Sequence, residues 1–215
     1  MIDPIPEHFT SIEDASDFWD EHDTGDYETF LRPLNETIEL MTHKTMTNKQ
    51  LFANQFIAII DRDGYTFMHE VRCEGQIVAL LPYRNLAGNQ REYLARLEIC
   101  PAHTPDLELC SITGGKEPNK SVAETAVQEL WEEAGYQATI EELIALGKVR
   151  PSKASDTTAH LFAVDVTGKE QSTPEGDGSR FEVGSSVQWL DYEQAVQVED
   201  SLLVTTITRL LQEIN

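Results

Sequence analysis

Basic residues are scarce in this chain. It sets 16 Lys and Arg against 38 Asp and Glu, a formal net charge of -22. Duplex nucleic acid is thereby excluded as a natural partner, because its phosphates would meet a repulsive field. Phosphorylated small molecules meet the same field unless divalent cations intervene. Long apolar runs are missing too. None approaches the roughly 18 residues that cross a bilayer, so no membrane partner is expected. The opening "MIDPIPEHFTSIEDA" lacks the basic and apolar regions of a secretory signal. Only three cysteines occur, Cys73, Cys100 and Cys110, with no CxxC spacing. That pattern favours buried thiols over disulfides or a zinc site, and a reducing cytoplasm is the expected compartment. The six histidines show neither HxxxH nor HExxH spacing, which argues against a histidine metal site.

What is present suits a soluble globular chain. At 215 residues, with 40% hydrophobic and 25% charged residues, it has material for one good-sized domain with a small extension. Residues 1–50 read as an acidic helical extension and 51–215 as the main domain. From Asp3 to Glu28 there are ten acidic residues and no Lys or Arg. "SIEDASDFWDEH" starts like a helix, with Ser11 as N-cap and Asp14 three positions on. "TFLRPLNETIELMTH" reads as a second short helix interrupted near Pro33. No Gly/Ser-rich linker follows, so the arm is expected to dock rather than hang free.

From about Gln50 the pattern turns to strands. "NQFIAIIDRDGYTFMHEVR" reads as strand, Asp-Gly turn, strand. "GQIVALLPYR", "YLARLEICPAH", "TAHLFAVDV" and "SSVQWLDY" read as further strands, with Trp189 in the core. "EDSLLVTTITRLLQEIN" is an amphipathic closing helix. Strands around one central helix, with a second helix at the end, predict an α/β or α+β sandwich.

The chemistry concentrates in "ITGGKEPNKSVAETAVQELWEEAGY", residues 112–136. Taken as a helix over 121–134, it presents Val122, Ala123, Ala126, Val127, Leu130 and Ala134 as an apolar stripe, with Ser121 as cap. Glu129, Glu132 and Glu133 fall at i, i+3 and i+4 on one face, where their mutual repulsion weakens the helix by a few tenths of a kcal/mol per pair. Mg²⁺ or Mn²⁺, hard cations that take carboxylate oxygens and bridge to phosphate, would offset it. The Gly114–Gly115 pair reads as a loop that approaches a ligand, and Gly135 as the left-handed stop of the helix.

This stretch resembles the Nudix box, GX5EX7REUXEEXGU with U apolar. Gly114 matches the opening glycine, Glu129-Leu130 the "EU" pair, Glu132-Glu133 the "EE" pair and Gly135-Tyr136 the closing "GU". The resemblance implies a Nudix α/β/α sandwich over about 51–215. It also implies a Mg²⁺-dependent hydrolase of a nucleoside diphosphate linked to another moiety, with Glu129, Glu132 and Glu133 as metal ligands. Such a substrate is a small-molecule nucleotide, and dimers are common among similar enzymes. Two positions depart from the pattern. Lys120 stands at the first glutamate and Gln128 at the arginine, which in the family orients the neighbouring carboxylates. Lys120 could pair with Glu124 one turn on. These departures support an alternative, a Nudix-fold nucleotide or protein-binding sensor without turnover.

"GKVRPSKASDTTAHLFAVDV" is similar to the segment after the box in pyrophosphatases of ADP-ribose and nucleoside diphosphate sugars. Pro151 falls where those enzymes carry a proline, while Asp156-Thr157-Thr158 stands where they often have a glutamate. Lys148, Arg150 and Lys153 form a small basic cluster suited to substrate phosphates, and Arg84 and Arg96 are further candidates for substrate contact. In related enzymes a glutamate from a loop comparable to "STPEGDGSRFEVG" completes the metal site or acts as general base. Glu182 is the first candidate for that role and Asp177 the second. Glu132, Glu133 and Glu182 thus form the expected catalytic set. "SIEDASDFWDEHDTGDYE" is similar to the opening segment of CopG-like antitoxins, which implies an arm over 1–45 able to engage a basic protein, its own domain or a dimer mate.

Overall fold

The computed structural model describes residues 46–174 and 184–214. The expected helices of the acidic arm, the antitoxin-like segment, Asp177 and Glu182 lie outside the described residues. The chain divides between Thr47 and Asn48 into two units, the second of which begins at Asn48.

That unit holds two sheets. The first is an antiparallel meander of β1 (Asn48–Ala53), β2 (Ile57–Arg62) and β3 (Tyr65–Glu70). The expected Asp-Gly turn joins β2 to β3. Asp63 and Gly64 both take positive φ, 50° and 92°, and the two-residue loop sets Arg62 opposite Tyr65. β1 did not stand out in the sequence: all six of its residues are exposed, so it carries no buried alternation.

The second sheet contains β4 (Gln76–Asn85), β5 (Arg91–Ile99), β6 (Leu107–Cys110), β7 (Ile112–Gly115), β8 (Leu143–Val149), β9 (Thr158–Asp165) and β10 (Ser186–Leu190). Its order is β10-β5-β4-β9-β8, with β6 on β5 and β7 on β4. β4 and β9 run parallel, from Gln76 opposite Thr158 to Tyr83 opposite Asp165. Both are apolar on both faces, as a sheet covered on two sides requires. Val78 and Leu80 face helix α1 (Val122–Ala134), whose Ala126, Leu130 and Ala134 are fully buried against them. Ala79, Leu81 and Tyr83 face the other way, against Leu202, Leu203, Ile207 and Leu210 of helix α3 (Ser201–Glu213). A short helix, α2 (Tyr192–Ala195), joins β10 to α3. The expected α/β/α sandwich is therefore what the chain forms. Among the described residues no helix is long and apolar enough to cross a membrane.

Two sequence expectations change here. Gly114 and Gly115 end a strand rather than form a loop. They pair with Val78 and Ile77 of β4, and neither takes a positive φ. Trp189 is half-buried rather than core, and the Arg84 guanidinium covers its ring at 4.1 Å. Of the three thiols, Cys73 is buried while Cys100 and Cys110 are partly exposed, and all three are free.

Candidate active site

Helix α1 opens with a full capping box. The Ser121 hydroxyl accepts from the Glu124 N–H at 3.2 Å, and the Glu124 carboxylate accepts from the Ser121 N–H at 2.7 Å. Glu124 is thus committed to the cap, and the expected Lys120–Glu124 pair does not form. The helix stops at Gly135, in the left-handed conformation at φ 72°, whose N–H reaches the Leu130 and Trp131 carbonyls. A side chain there would also collide with the Ser172 carbonyl oxygen, 2.0 Å from an added Cβ. Glycine is required twice over.

Between those ends lie the three glutamates. Glu129 sits directly over Gly114. A Cβ at that glycine would stand 1.8 Å from Glu129 Oε1 and 2.1 Å from its Cδ. The glycine is therefore needed for close approach of strand β7 to a carboxylate, not for a turn. Gly115 serves likewise beside Cys73, whose Cβ would be 3.1 Å from an added Cβ.

Glu132 is oriented by Gln128. The Gln128 carboxamide nitrogen donates to Glu132 Oε1 and to Glu117 Oε1, each at 2.9 Å. Its carbonyl oxygen accepts from the Lys120 ammonium, which also pairs with Glu117 Oε2 at 2.7 Å. The two departures from the box motif thus lock together. A glutamine amide has two N–H donors and one carbonyl, and here both kinds of group are engaged. Hydrogen bonds from Lys120 and Gln128 hold the Glu117 carboxyl below the usual carboxylate range. Glu117 was not singled out in the sequence; nothing in its spacing marks a loop residue that meets the helix eleven positions later.

Glu133 is tied to Arg96. That arginine was expected at the surface near substrate, yet only 2% of its side chain is exposed. Its guanidinium donates to Glu98 Oε2 at 3.0 Å, to the Glu133 carbonyl at 3.0 Å and to the Ser185 hydroxyl at 3.3 Å. Its Nε also lies 3.7 Å from Glu133 Oε1. Arg96 is thus held at the end of α1, and its contacts to Glu133 and Ser185 are too distant in sequence to foresee. The chain on either side of 175–183 is anchored near the same helix end. On one side Gln171 donates to the Ala134 carbonyl at 2.9 Å and the Ser172 N–H to the Gly135 carbonyl at 2.8 Å. On the other side Ser185 meets Arg96.

The remaining basic candidates are not gathered at one point. Arg84, 38% exposed, pairs with Glu92 at 2.5 Å and stacks on Trp189, which meets Tyr136 edge-on at 6.4 Å between ring centres. Burial pushes the Tyr136 hydroxyl above its ordinary range, and the charge of Arg84 opposes that shift. Arg84 lies six residues along β4 from Val78, the register partner of Gly114, or roughly 20 Å at strand rise. Arg150 and Lys153 are exposed beyond the end of β8, toward the first residues of β4 and β9. Their loop lies along β3: Tyr65 donates to the Lys153 carbonyl at 2.6 Å, and the Met68 N–H to the Ala154 carbonyl at 2.8 Å.

Glu129, Glu132 and Glu133 offer three carboxylates from one stretch of α1, the ligand chemistry Mg²⁺ or Mn²⁺ prefers, but their ligand atoms are not among those that converge within 4.8 Å in the described residues. The space over Gly114 is taken by the Glu129 carboxylate itself, which only a residue without a Cβ admits. Gly114→Ala should therefore push the Glu129 carboxylate aside. The displaced group is the far end of a flexible side chain, so stability should change little. Turnover should fall by about 10²-fold, the usual effect of misplacing a functional group by an ångström. Steady-state kinetics beside a thermal melt check this, and an unchanged turnover would remove Glu129 from the site.

A model of the NUDIX domain matches residues 86–207, more than half of the chain. No curated protein sequence matches it. Among solved structures, the crystal structure of an ADP compounds hydrolase shares the fold, with a TM-score of 0.57 and 13% identity over 80% of this chain and 95% of that one. A helix ending in Glu132-Glu133-Ala134-Gly135, set on a glycine-ended strand, falls inside the matched region. The chain belongs to the Nudix family.

Proposed function

We propose that the protein hydrolyses the pyrophosphate of a nucleoside diphosphate linked to another moiety, of the nucleotide-sugar or ADP-ribose type, in a Mg²⁺-dependent reaction. The observation that carries this reading is the ordering of the box carboxylates despite the altered box. Gln128 and Lys120 together supply Glu132 with the donor that an arginine would give, and Arg96 braces Glu133 from the neighbouring strand. A Nudix fold that had lost turnover would have no need to keep three carboxylates so placed. The ADP compounds hydrolase that shares the fold points to the same substrate class.

In this reading Glu129, Glu132 and Glu133 hold Mg²⁺, with Mn²⁺ as a substitute. Bound there, the ion supplies Lewis acidity and neutralises phosphate charge that a chain of net charge -22 would otherwise repel. Gly114, by lacking a side chain, admits the Glu129 carboxylate against β7 beside the place where the diphosphate would lie. Arg150 and Lys153 offer charge to an outer phosphate, and Arg84, over the Trp189 ring, offers a planar cation to the far end of an extended substrate. Glu182 accepts a proton from the attacking water. The water oxygen bonds to one phosphorus, the bridging P–O bond breaks, and two phosphomonoesters leave.

The test is incubation of the purified chain with Mg²⁺ or Mn²⁺ and a panel of nucleotide sugars, ADP-ribose, dinucleotides and nucleoside triphosphates, scoring phosphate products. Hydrolysis of diphosphate-linked members, abolished by EDTA, is the expected result. Metal-dependent nucleotide binding with no product from any member would overturn the catalytic reading in favour of a sensor.

A further inference from the structure

A second set of metal-ligating side chains lies away from the box glutamates, at the hairpin between β5 and β6. One ligand atom from each of Cys100, His103 and Glu108 lies within 4.8 Å of the other two. The spacings between these residues match no zinc motif. The backbone makes the juxtaposition. Cys100 follows the end of β5, and the N–H groups of His103 and Thr104 return to the Cys100 carbonyl at 2.9 and 3.1 Å. That turn brings the imidazole back over the strand end. Glu108, on β6, then holds His103 Nδ1 at 3.0 Å.

We propose that Cys100, His103 and Glu108 bind one Zn²⁺ ion. The donor chemistry favours a borderline cation over Mg²⁺, since thiolate sulfur and imidazole nitrogen join a single carboxylate. The charges also balance: one thiolate and one carboxylate, with neutral imidazole, match a divalent ion. The sheet register adds a separate reason. Glu98 stands directly opposite Glu108 across β5 and β6, a pairing of like charges that disfavours the hairpin. Arg96 reaches Glu98 from one side; a cation at Glu108 relieves the repulsion from the other. Three protein ligands leave a fourth position, and the site opens into a cleft of about 870 Å³ lined also by Gln194, Gln197, Glu199 and Asp200.

This site is distinct from the box glutamates. Cys100 lies four residues beyond Arg96 on the same chain run, roughly 13 Å at strand rise. The same offset rules out a Cys100–Cys110 disulfide, because Cys110 is the register partner of Arg96 and disulfide Cα atoms stand within about 7 Å. Cys110 is otherwise engaged, donating toward Glu98 Oε1 at 3.4 Å and the Arg96 carbonyl at 3.6 Å.

The experiment uses tag-free, full-length protein stripped with chelator and titrated with Co²⁺ as a spectroscopic stand-in, then with Zn²⁺. One equivalent of Co²⁺ should give a sulfur-to-cobalt charge-transfer band with intense visible d–d bands, and Zn²⁺ should bleach both. Cys100→Ser should abolish the charge-transfer band. His103→Ala and Glu108→Gln should weaken binding by about tenfold or more, the range seen when a ligand or its orienting partner is lost. Glu132→Gln should leave the titration unchanged. Absence of the band in the parent protein, or its persistence in Cys100→Ser, would overturn the proposal. His103 is 71% exposed, so His103→Ala reads the site in a folded protein even if Cys100→Ser fails to fold, and full-strength Co²⁺ binding in that variant would also overturn it.

Discussion

Replacing Glu133 by glutamine is expected to lower kcat by roughly 10³-fold, within the range for a positioned acid–base or metal-bearing group, while the fold survives. The carboxamide keeps the length and shape of the side chain and one oxygen to face Arg96, which stands 3.7 Å from Glu133 Oε1. The Arg96 bond to the Glu133 main-chain carbonyl is untouched. The melting temperature should therefore move by only a few degrees, corresponding to about 1 kcal/mol for a chain of this size. What the substitution removes is charge, on a side chain only 15% exposed, where water does little to screen it. Measuring product formation across a wide range of Mg²⁺ separates two ways of losing activity. If higher Mg²⁺ restores turnover, Glu133 acts by holding the cation; if it does not, Glu133 is needed in the chemical step itself. A fall of less than tenfold at limiting as well as saturating Mg²⁺ would sink the assignment of Glu133 to the site.

Glu132→Gln makes an instructive companion. Glu132 already accepts from the Gln128 carboxamide at 2.9 Å, and a glutamine at 132 can still accept there. Its orientation is thus preserved while its charge is lost, which isolates charge from placement. The same comparison bears on the altered box. In the sequence, Lys120 and Gln128 read as damage. In three dimensions Glu117 supplies the missing logic: it accepts from both, so the glutamine amide is held with its nitrogen toward Glu132 rather than its oxygen. Neither substitution is intelligible without the other, and Glu117 belongs to no part of the motif.

How far the sequence could be read follows from which signals were local. Strands β4 and β9 show as continuous apolar runs, α1 and α3 as stripes of period 3.6, and the β2–β3 turn as Asp-Gly. Each of these depends on neighbours a few residues apart. β7 is four residues, Ile-Thr-Gly-Gly, and its glycines mimic a loop because what they accommodate is remote in sequence: a carboxylate fifteen positions later for Gly114 and Cys73 for Gly115. β8 is hidden by a bulge. Its register on β9 shifts between Ala145 and Lys148, where Gly147 takes a φ of 81° and Arg209 of α3 binds the Leu146 carbonyl at 2.8 Å. The three box glutamates were legible because helical spacing alone sets them on one face. What braces them was not, because both Arg96 and Glu117 reach them through tertiary contacts.

Arg96 supplies the second large expected effect. Arg96→Met should destabilise the protein by about 3 kcal/mol, the lower side of the 3–5 kcal/mol found when one partner of a buried ion pair is removed. The lower side applies because Glu98 is 29% exposed and can be partly rehydrated. The guanidinium joins three parts of the chain: Glu98 beside it on β5, the Glu133 carbonyl at the end of α1, and Ser185 ahead of β10. Methionine fills similar volume but leaves the Glu98 carboxylate and a helix-terminal carbonyl without their donor. Arg96→Lys should recover only part of the loss, since a single ammonium cannot span acceptors set around a planar fork. The kinetic signature is what separates positioning from substrate contact. If Arg96 acts only by holding Glu133, kcat falls in parallel with the Glu133 variant, KM for the diphosphate substrate stays within about twofold, and the Arg96/Glu133 double variant is barely worse than Glu133→Gln alone, as coupled residues behave. Were Arg96 to bind a substrate phosphate instead, KM would rise, kcat would hold, and the losses in the double variant would add. Chemical denaturation of the two Arg96 variants beside that double-mutant cycle decides between them. A stable, fully active Arg96→Met would remove the brace from the site altogether.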